Sequence, residues 1–305
     1  MVKHRSLFGY ASLLFIFFFI VFSNIAARSA LSGMKLCVDV LIPTLFPMMV
    51  LTGIAIRSGV FSALSRIGNK VFTPLFGVCG KYLASFVIGI LGSAPTGAMS
   101  VKSLLSEKES DGERASALLL SSVVSFGFIY SFVGINILEN ARRGIALFVF
   151  QIISVMLTAY FLRSKKTRNI TENQKTLKTE KASSAVALSI RDASLNMLSV
   201  CGSVIFFSAL SGIVVSLPIC ESVKLFLCPF LELASGLEYL SGRYSNDAAF
   251  ILSASAIGWS GLSMIFQSLS VSEGAIPPYK YILGRAVSAL ICPLLAFASI
   301  NIGII

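Results

Sequence analysis

ASFVIGILGSAPTGAMSVKSLL, residues Ala84 to Leu105, is apolar enough to enter a bilayer, yet Gly92-Ser93-Ala94-Pro95-Thr96-Gly97 stands in its middle. Glycine costs a helix backbone entropy, and proline removes a donor and clashes with the preceding turn, so the helix breaks there. In hydrocarbon, broken backbone is tolerated only where it is buried in protein or lines a cavity. A second such stretch is Ala248 to Leu269, AAFILSASAIGWSGLSMIFQSL, with Gly258-Trp259-Ser260-Gly261 at its centre. Paired interrupted segments in two halves of a chain point to a transporter's binding site.

Working outward, the 305 residues are 55% hydrophobic and 13% charged, with mean hydropathy +0.85. Soluble domains carry about 25% charged residues. Several runs reach the ~20 residues a membrane helix needs. The class is therefore an all-α polytopic membrane protein. The net charge of +11 is dispersed at the ends of apolar runs and in one loop, which suits anionic headgroups and gives no nucleic-acid surface. The six cysteines form no C-x-x-C pair, and His4 is the sole histidine, so a histidine-ligated metal site or a His-based triad is excluded. No cofactor or metal is expected.

Along the chain, Leu7 to Phe22 reads as a signal-peptide core or an uncleaved first span within 1–30. Its length and the poor cleavage site at Ser23-Asn24-Ile25-Ala26-Ala27 favour the span. Residues 31–162 form a first repeat and 187–305 a second, joined by a basic linker at 163–186. In the first repeat, Leu31 to Ile56 carries Pro43 and Pro47, which kink it and free carbonyls around Leu41 to Thr44, either as a bent packing helix or to present those carbonyls to a cavity. Val60 to Lys70 suits a helix lying at the membrane interface. Ala115 to Leu138 and Gly144 to Leu162 are spans, as are Ala187 to Leu217 and Tyr279 to Ile300 in the second repeat.

If both interrupted stretches cross fully, only 10 of the 25 Lys and Arg residues lie on the cytoplasmic side, against the positive-inside tendency. If each enters and leaves on one side, as re-entrant hairpins near 84–105 and 248–269, the number rises to 17. The expected architecture is thus six full transmembrane helices plus two re-entrant hairpins in an inverted repeat, with a cytoplasmic N-terminus.

Hairpin tips meeting at mid-membrane would gather Ser93, Thr96, Ser260 and Ser263 with free backbone N–H groups, which favour anionic ligands. The same small residues also serve close helix packing. Pro95, Gly97, Gly258 and Gly261 at the breaks, and Gln267 in the second return arm, are further candidates for contacting the substrate. Glu232 is a candidate for a coupling cation or substrate, or a solvated interfacial carboxylate, and Thr44 is a second polar candidate. No carboxylate pair, nucleophile–base pair or P-loop appears, so the chain is not read as an enzyme.

These features resemble the sporulation integral membrane proteins that carry a nucleoside-recognition (Gate) domain. The resemblance spans roughly 30–300 and rests on Leu45-Phe46-Pro47, Gly92 to Ala98 beside the family's S-G-Y-P-x-G-A-K, Leu231-Glu232 with Gly236, and Gly261-Leu262-Ser263 followed by Gln267. It implies a fold related to concentrative nucleoside transporters and adds Ser125 to the candidate set. One branch of that family is linked to dipicolinate movement across a forespore membrane. Met99 stands where the family has lysine, and Val124-Ser125-Phe126-Gly127-Phe128 replaces its N-N-S-G-P. The expectation is a secondary-transporter-like protein of the bacterial cell membrane moving a small polar, anionic solute such as dipicolinate or a nucleoside-like compound. Its partners would be the solute and the bilayer, and a homo-oligomer is compatible. The rival is a non-transporting scaffold for sporulation or envelope maturation.

Overall fold

The computed structural model describes residues 2–59, 64–106, 109–163, 182–272 and 274–305. The start of the expected interfacial helix (60–63) and most of the basic linker (164–181) lie outside the described residues. All regular structure among the described residues is helical. Five stretches are long and apolar enough to cross a membrane: Ser23–Arg57, Ala141–Leu162, Ser183–Ser216, Asn246–Val271 and Pro278–Asn301.

Helix α1 (Val2–Val21) ends where Phe22 leaves helical geometry, and α2 (Ser23–Leu36) follows. A π-helical turn at Cys37–Leu41 leads without a gap into α3 (Ile42–Arg57). Pro43 and Pro47 cannot donate to the preceding turn, and the wider turn absorbs the mismatch. The Thr44 hydroxyl donates to the Val40 carbonyl at 2.6 Å. The expected kink is thus a π-bulge.

The long α9 (Ala182–Ser216) runs antiparallel to α2 and α3. Ser29 faces Gly212, Gly33 faces Ser208 and Gly53 faces Ser189, so small residues let the backbones approach along the whole pair. Helix α4 (Leu64–Phe76) is strongly amphipathic and packs Gly68 against Gly80.

Helices α5 (Tyr82–Gly92) and α6 (Ala94–Leu104) fold back on one another. Lys81 Nζ donates to the Leu104 carbonyl at 2.5 Å, and the Ser85 and Ser100 hydroxyls lie 2.9 Å apart. The fold-back sits at Ser93, between a glycine that ends one arm and a proline that starts the next. Helix α7 (Asp111–Ser121) begins with a capping box, Ser110 Oγ accepting from the Glu113 N–H at 3.2 Å. It stops at Ser121, runs non-helically through 122–125, and resumes as a π-helical segment, Phe128–Ile137. The span expected at Ala115 to Leu138 is therefore broken in its middle. Helix α8 (Ala141–Leu162) is capped by the Asn140 side chain, which accepts from Arg142 and Arg143 N–H.

In the second half the paired hairpin is not where the sequence places it. Helices α10 (Glu221–Leu231) and α11 (Leu233–Leu240) pack side by side, with Tyr239 Oη donating to Glu221 Oε1 at 2.7 Å near their open end. Helices α12 (Asn246–Trp259) and α13 (Gly261–Val271), assigned by sequence to a hairpin near 248–269, do not lie along each other. Instead α12 runs along α14 (Pro278–Asn301), and α13 packs on α6 and α9. Gly258, at the centre of that stretch, faces the Ser288 carbonyl of α14. This stretch is one long helix interrupted at Ser260.

The ends of the elements mark two faces. On the first, Arg57 meets Asp192, Lys81 meets Glu109 at 2.6 Å, and Arg114 donates to the Ser106 and Ala275 carbonyls. On the opposite one, Lys224 donates to the Val215 carbonyl and Arg143 pairs with Asp247. The open end of α5–α6 lies on the first face and that of α10–α11 on the second.

Candidate functional site

Four interruptions of helical backbone converge on one cavity: Ser93, Val124-Ser125, Glu232-Leu233-Ala234 and Ser260. Its empty space, including that open to solvent, is about 450 Å³. Leu41 and Leu45 of α3 and Val200 and Val204 of α9 close it on one side, and Ser263 and Gln267 of α13 complete its polar lining.

Each break presents the C-terminal end of one helix and the N-terminal start of another. The cavity therefore receives orphan carbonyls together with orphan N–H groups. Helices α6, α11 and α13 all begin there, and their N-termini favour negative charge.

Local strain gathers at the same place. Three non-glycine residues among those described have positive φ: Ser93 (96°), Glu139 (50°) and Ser260 (75°). Two of the three line the cavity. Such conformations cost of order 1–3 kcal/mol each and cluster at ligand sites. Ser93 is 3% exposed and its hydroxyl has no hydrogen-bond partner among the described residues, an unspent donor and acceptor at the tip.

Glu232 is 4% exposed. Its Oε2 accepts from the Ser235 N–H at 2.6 Å, capping α11 and fixing the carboxyl at the break. Among the described residues no cationic side chain pairs with it. Gln267 Nε2 donates to Ser263 Oγ at 3.1 Å, and Ser125 Oγ accepts from the Phe128 N–H at 3.4 Å.

Of the residues singled out by sequence, Ser93, Ser125, Glu232, Ser260, Ser263 and Gln267 come together in this cavity. Thr96 lines a neighbouring one. Pro95 is buried in the first turn of α6. Gly97, with Gly89 of the facing arm, makes a notch that holds the Ser121 carbonyl of α7. Gly258 packs on α14, and Gly261 (φ 76°) lies against the Glu232-Leu233 tip, where a Cβ would stand 2.9 Å from the Leu233 nitrogen. Thr44 is half-buried, spends its hydroxyl on its own helix and lines neither cavity. These glycines, Pro95 and Thr44 shape the elements and do not contact the cavity.

The apolar wall from α3 and α9 and the contribution of Leu233 and Ala234 were not foreseen. The first has no polar residue to mark it, and the second belongs to a hairpin with no apolar run of membrane length. Compared with known proteins, the chain matches no family model, no curated protein and no solved structure.

Proposed function

We propose that this chain is a secondary-transporter-like membrane protein that moves a small polar, anionic solute through the cavity where its four helix breaks meet. The observation that carries the reading is the convergence of those breaks, two strained serines and a buried carboxylate on one largely apolar pocket inside the bundle. Ionisable groups at membrane depth mark solute or ion pathways.

In this reading α5–α6 and α10–α11 are re-entrant hairpins entering from opposite faces, and the two halves are inverted copies. Helix α3 corresponds to α9, the broken α7 to α12–α13, and α8 to α14. Letting α12–α13 cross places Lys280 and Arg285 on the face that also receives the linker. Arg28, Lys35, Arg142, Arg143, Lys224 and Arg243 are then the basic residues toward the other, so the linker face is cytoplasmic.

Helix N-termini attract an anionic solute, and Glu232 repels it. The two are compatible when Glu232 takes up a proton or a cation as the solute binds, which couples solute to cation. Dipicolinate and nucleoside-like compounds combine an aromatic ring, for the Leu45, Phe128 and Val200 side, with polar groups for the serines.

The test is uptake into liposomes holding the purified protein, with dipicolinate, nucleosides and small dicarboxylates offered in turn. Saturable uptake of one of them, lost in Glu232→Gln, is expected. A well-folded protein that moves none of them is a scaffold instead.

A further inference from the structure

A second and larger cavity, about 960 Å³ of empty space including that open to solvent, lies between α3, α6 and α9. Its mouth carries Arg57, Asp192 and Ser103, on the first face. Arg57 Nη2 meets Asp192 Oδ2 at 2.6 Å, and its Nη1 donates to Ser189 Oγ at 3.1 Å. The guanidinium is thereby fixed at the opening.

The same three helices line both cavities in register. Along α3 the wall passes from Arg57 through Met49 to Leu45, which belongs to the inner cavity. Along α6 it passes from Ser103 through Met99 and Thr96 to Ser93. Along α9 it passes from Asp192 through Asn196 to Val200. On each helix one turn separates the last residue of the outer cavity from the first of the inner one. Between them the Asn196 amide lies against Met99 Sδ. A thioether is a weak acceptor on a side chain with several soft rotamers, so this closure opens at small cost.

We propose that the outer cavity is a first-contact site for a small anion on its way to the inner cavity, with Arg57 as its cationic group and the Met99–Asn196 contact as its floor. This rests on the transport reading above. Asp192, 38% exposed, holds Arg57 in place and partly offsets its charge. The site attracts anions yet releases them, as a conducting path requires.

The test uses single cysteines in a cysteine-free background, in oriented liposomes, with an impermeant thiol reagent. Ser103→Cys and Asn196→Cys should react from the Arg57 face, as should a control at exposed Ser184. Ser263→Cys in the inner cavity should react at least tenfold more slowly, and adding Met99→Ala should bring its rate up by a similar factor. Dipicolinate should slow Asn196→Cys and leave the Ser184 control unchanged. The proposal is overturned if Asn196→Cys reacts from the opposite face, if it stays unreactive while the Ser184 control reacts, or if Met99→Ala leaves Ser263→Cys unchanged. Labelling does not require solute binding. The expected labelling pattern with no protection by dipicolinate would overturn the anion site and leave a water-filled cleft, whereas protection with no uptake would overturn the transport reading alone.

Discussion

Gly236 of α11 lies so close to Pro229 of α10 that a Cβ on the glycine would overlap the proline backbone. The contact is what lets α10 and α11 close into a hairpin around Glu232. An alanine gains up to about 1 kcal/mol of helix propensity. Here it must push two backbones apart, and overpacking of that kind costs about 1–3 kcal/mol. Gly236→Ala should therefore lower the melting temperature. Gly202→Ala in α9, where a Cβ meets nothing within 4 Å, should leave it unchanged or raise it slightly. Equal effects of the two would contradict the hairpin at 221–240.

The first hairpin has its own version of this contact. Gly89 and Gly97 flank the Ser121 carbonyl closely enough that a Cβ on either would overlap it. Gly97→Ala and Gly89→Ala should each destabilise the protein by more than the outward-facing Ser103→Ala does. The double variant should cost less than the two single effects added, because both act on one carbonyl. Strict additivity in thermal denaturation would show the notch is not shared.

The two hairpins also show what was legible in the chain. Gly92 to Gly97 locates the first tip because the break, the proline and both apolar arms are all in view. The second was assigned to 248–269 on the same surface features, a long apolar run with glycines in its middle. The difference lies in where the small residues point. Around Ser93, Gly89 and Gly97 stand four residues to either side and meet across the break, enclosing the Ser121 carbonyl of α7. Around Glu232, Pro229 and Gly236 stand three before and four after and likewise meet. Around Ser260 the corresponding glycine, Gly258, turns to α14. Segment 221–240 also carries Glu221, Lys224, Glu232 and Glu238, so hydropathy hides it. The polar half of the cavity was readable from its serines, Glu232 and Gln267. The α3 and α9 wall was not, because Leu41, Leu45, Val200 and Val204 look like any lipid-facing or core residue until the helices are placed.

Glu232 serves two roles that substitution separates. Glutamine keeps an oxygen for the Ser235 N–H and should hold the fold, whereas alanine loses the cap at about 1 kcal/mol. Glu232→Gln should therefore melt near the parent, and Glu232→Ala should melt lower. A glutamine variant as unstable as the alanine one would mean the charge itself holds the hairpin.

Cys220 precedes α10 and is the exposed cysteine, the other five being buried or half-buried. The backbone N–H of Ser222 beside it lowers its thiol pKa below the usual value. More thiolate is then present at neutral pH and the reaction persists to lower pH than for an ordinary thiol. The unaltered protein should take up one fast label, at Cys220, from the face opposite the linker. Fast labelling from the linker side would invert the proposed orientation of α10–α11.

The central claim is that the meeting point of the four breaks binds a solute. The most direct measurement is the melting temperature of the purified protein, and of Glu232→Gln, against dipicolinate, nucleosides and small dicarboxylates. A ligand at ~100 times its dissociation constant stabilises by about 2.7 kcal/mol. The account predicts a shift of that order with one of these compounds for the parent protein, and one at least as large for Glu232→Gln, whose neutral amide stands in for the protonated carboxyl. A folded parent protein that shifts with none of them, or a Glu232→Gln variant that loses the shift, would contradict it.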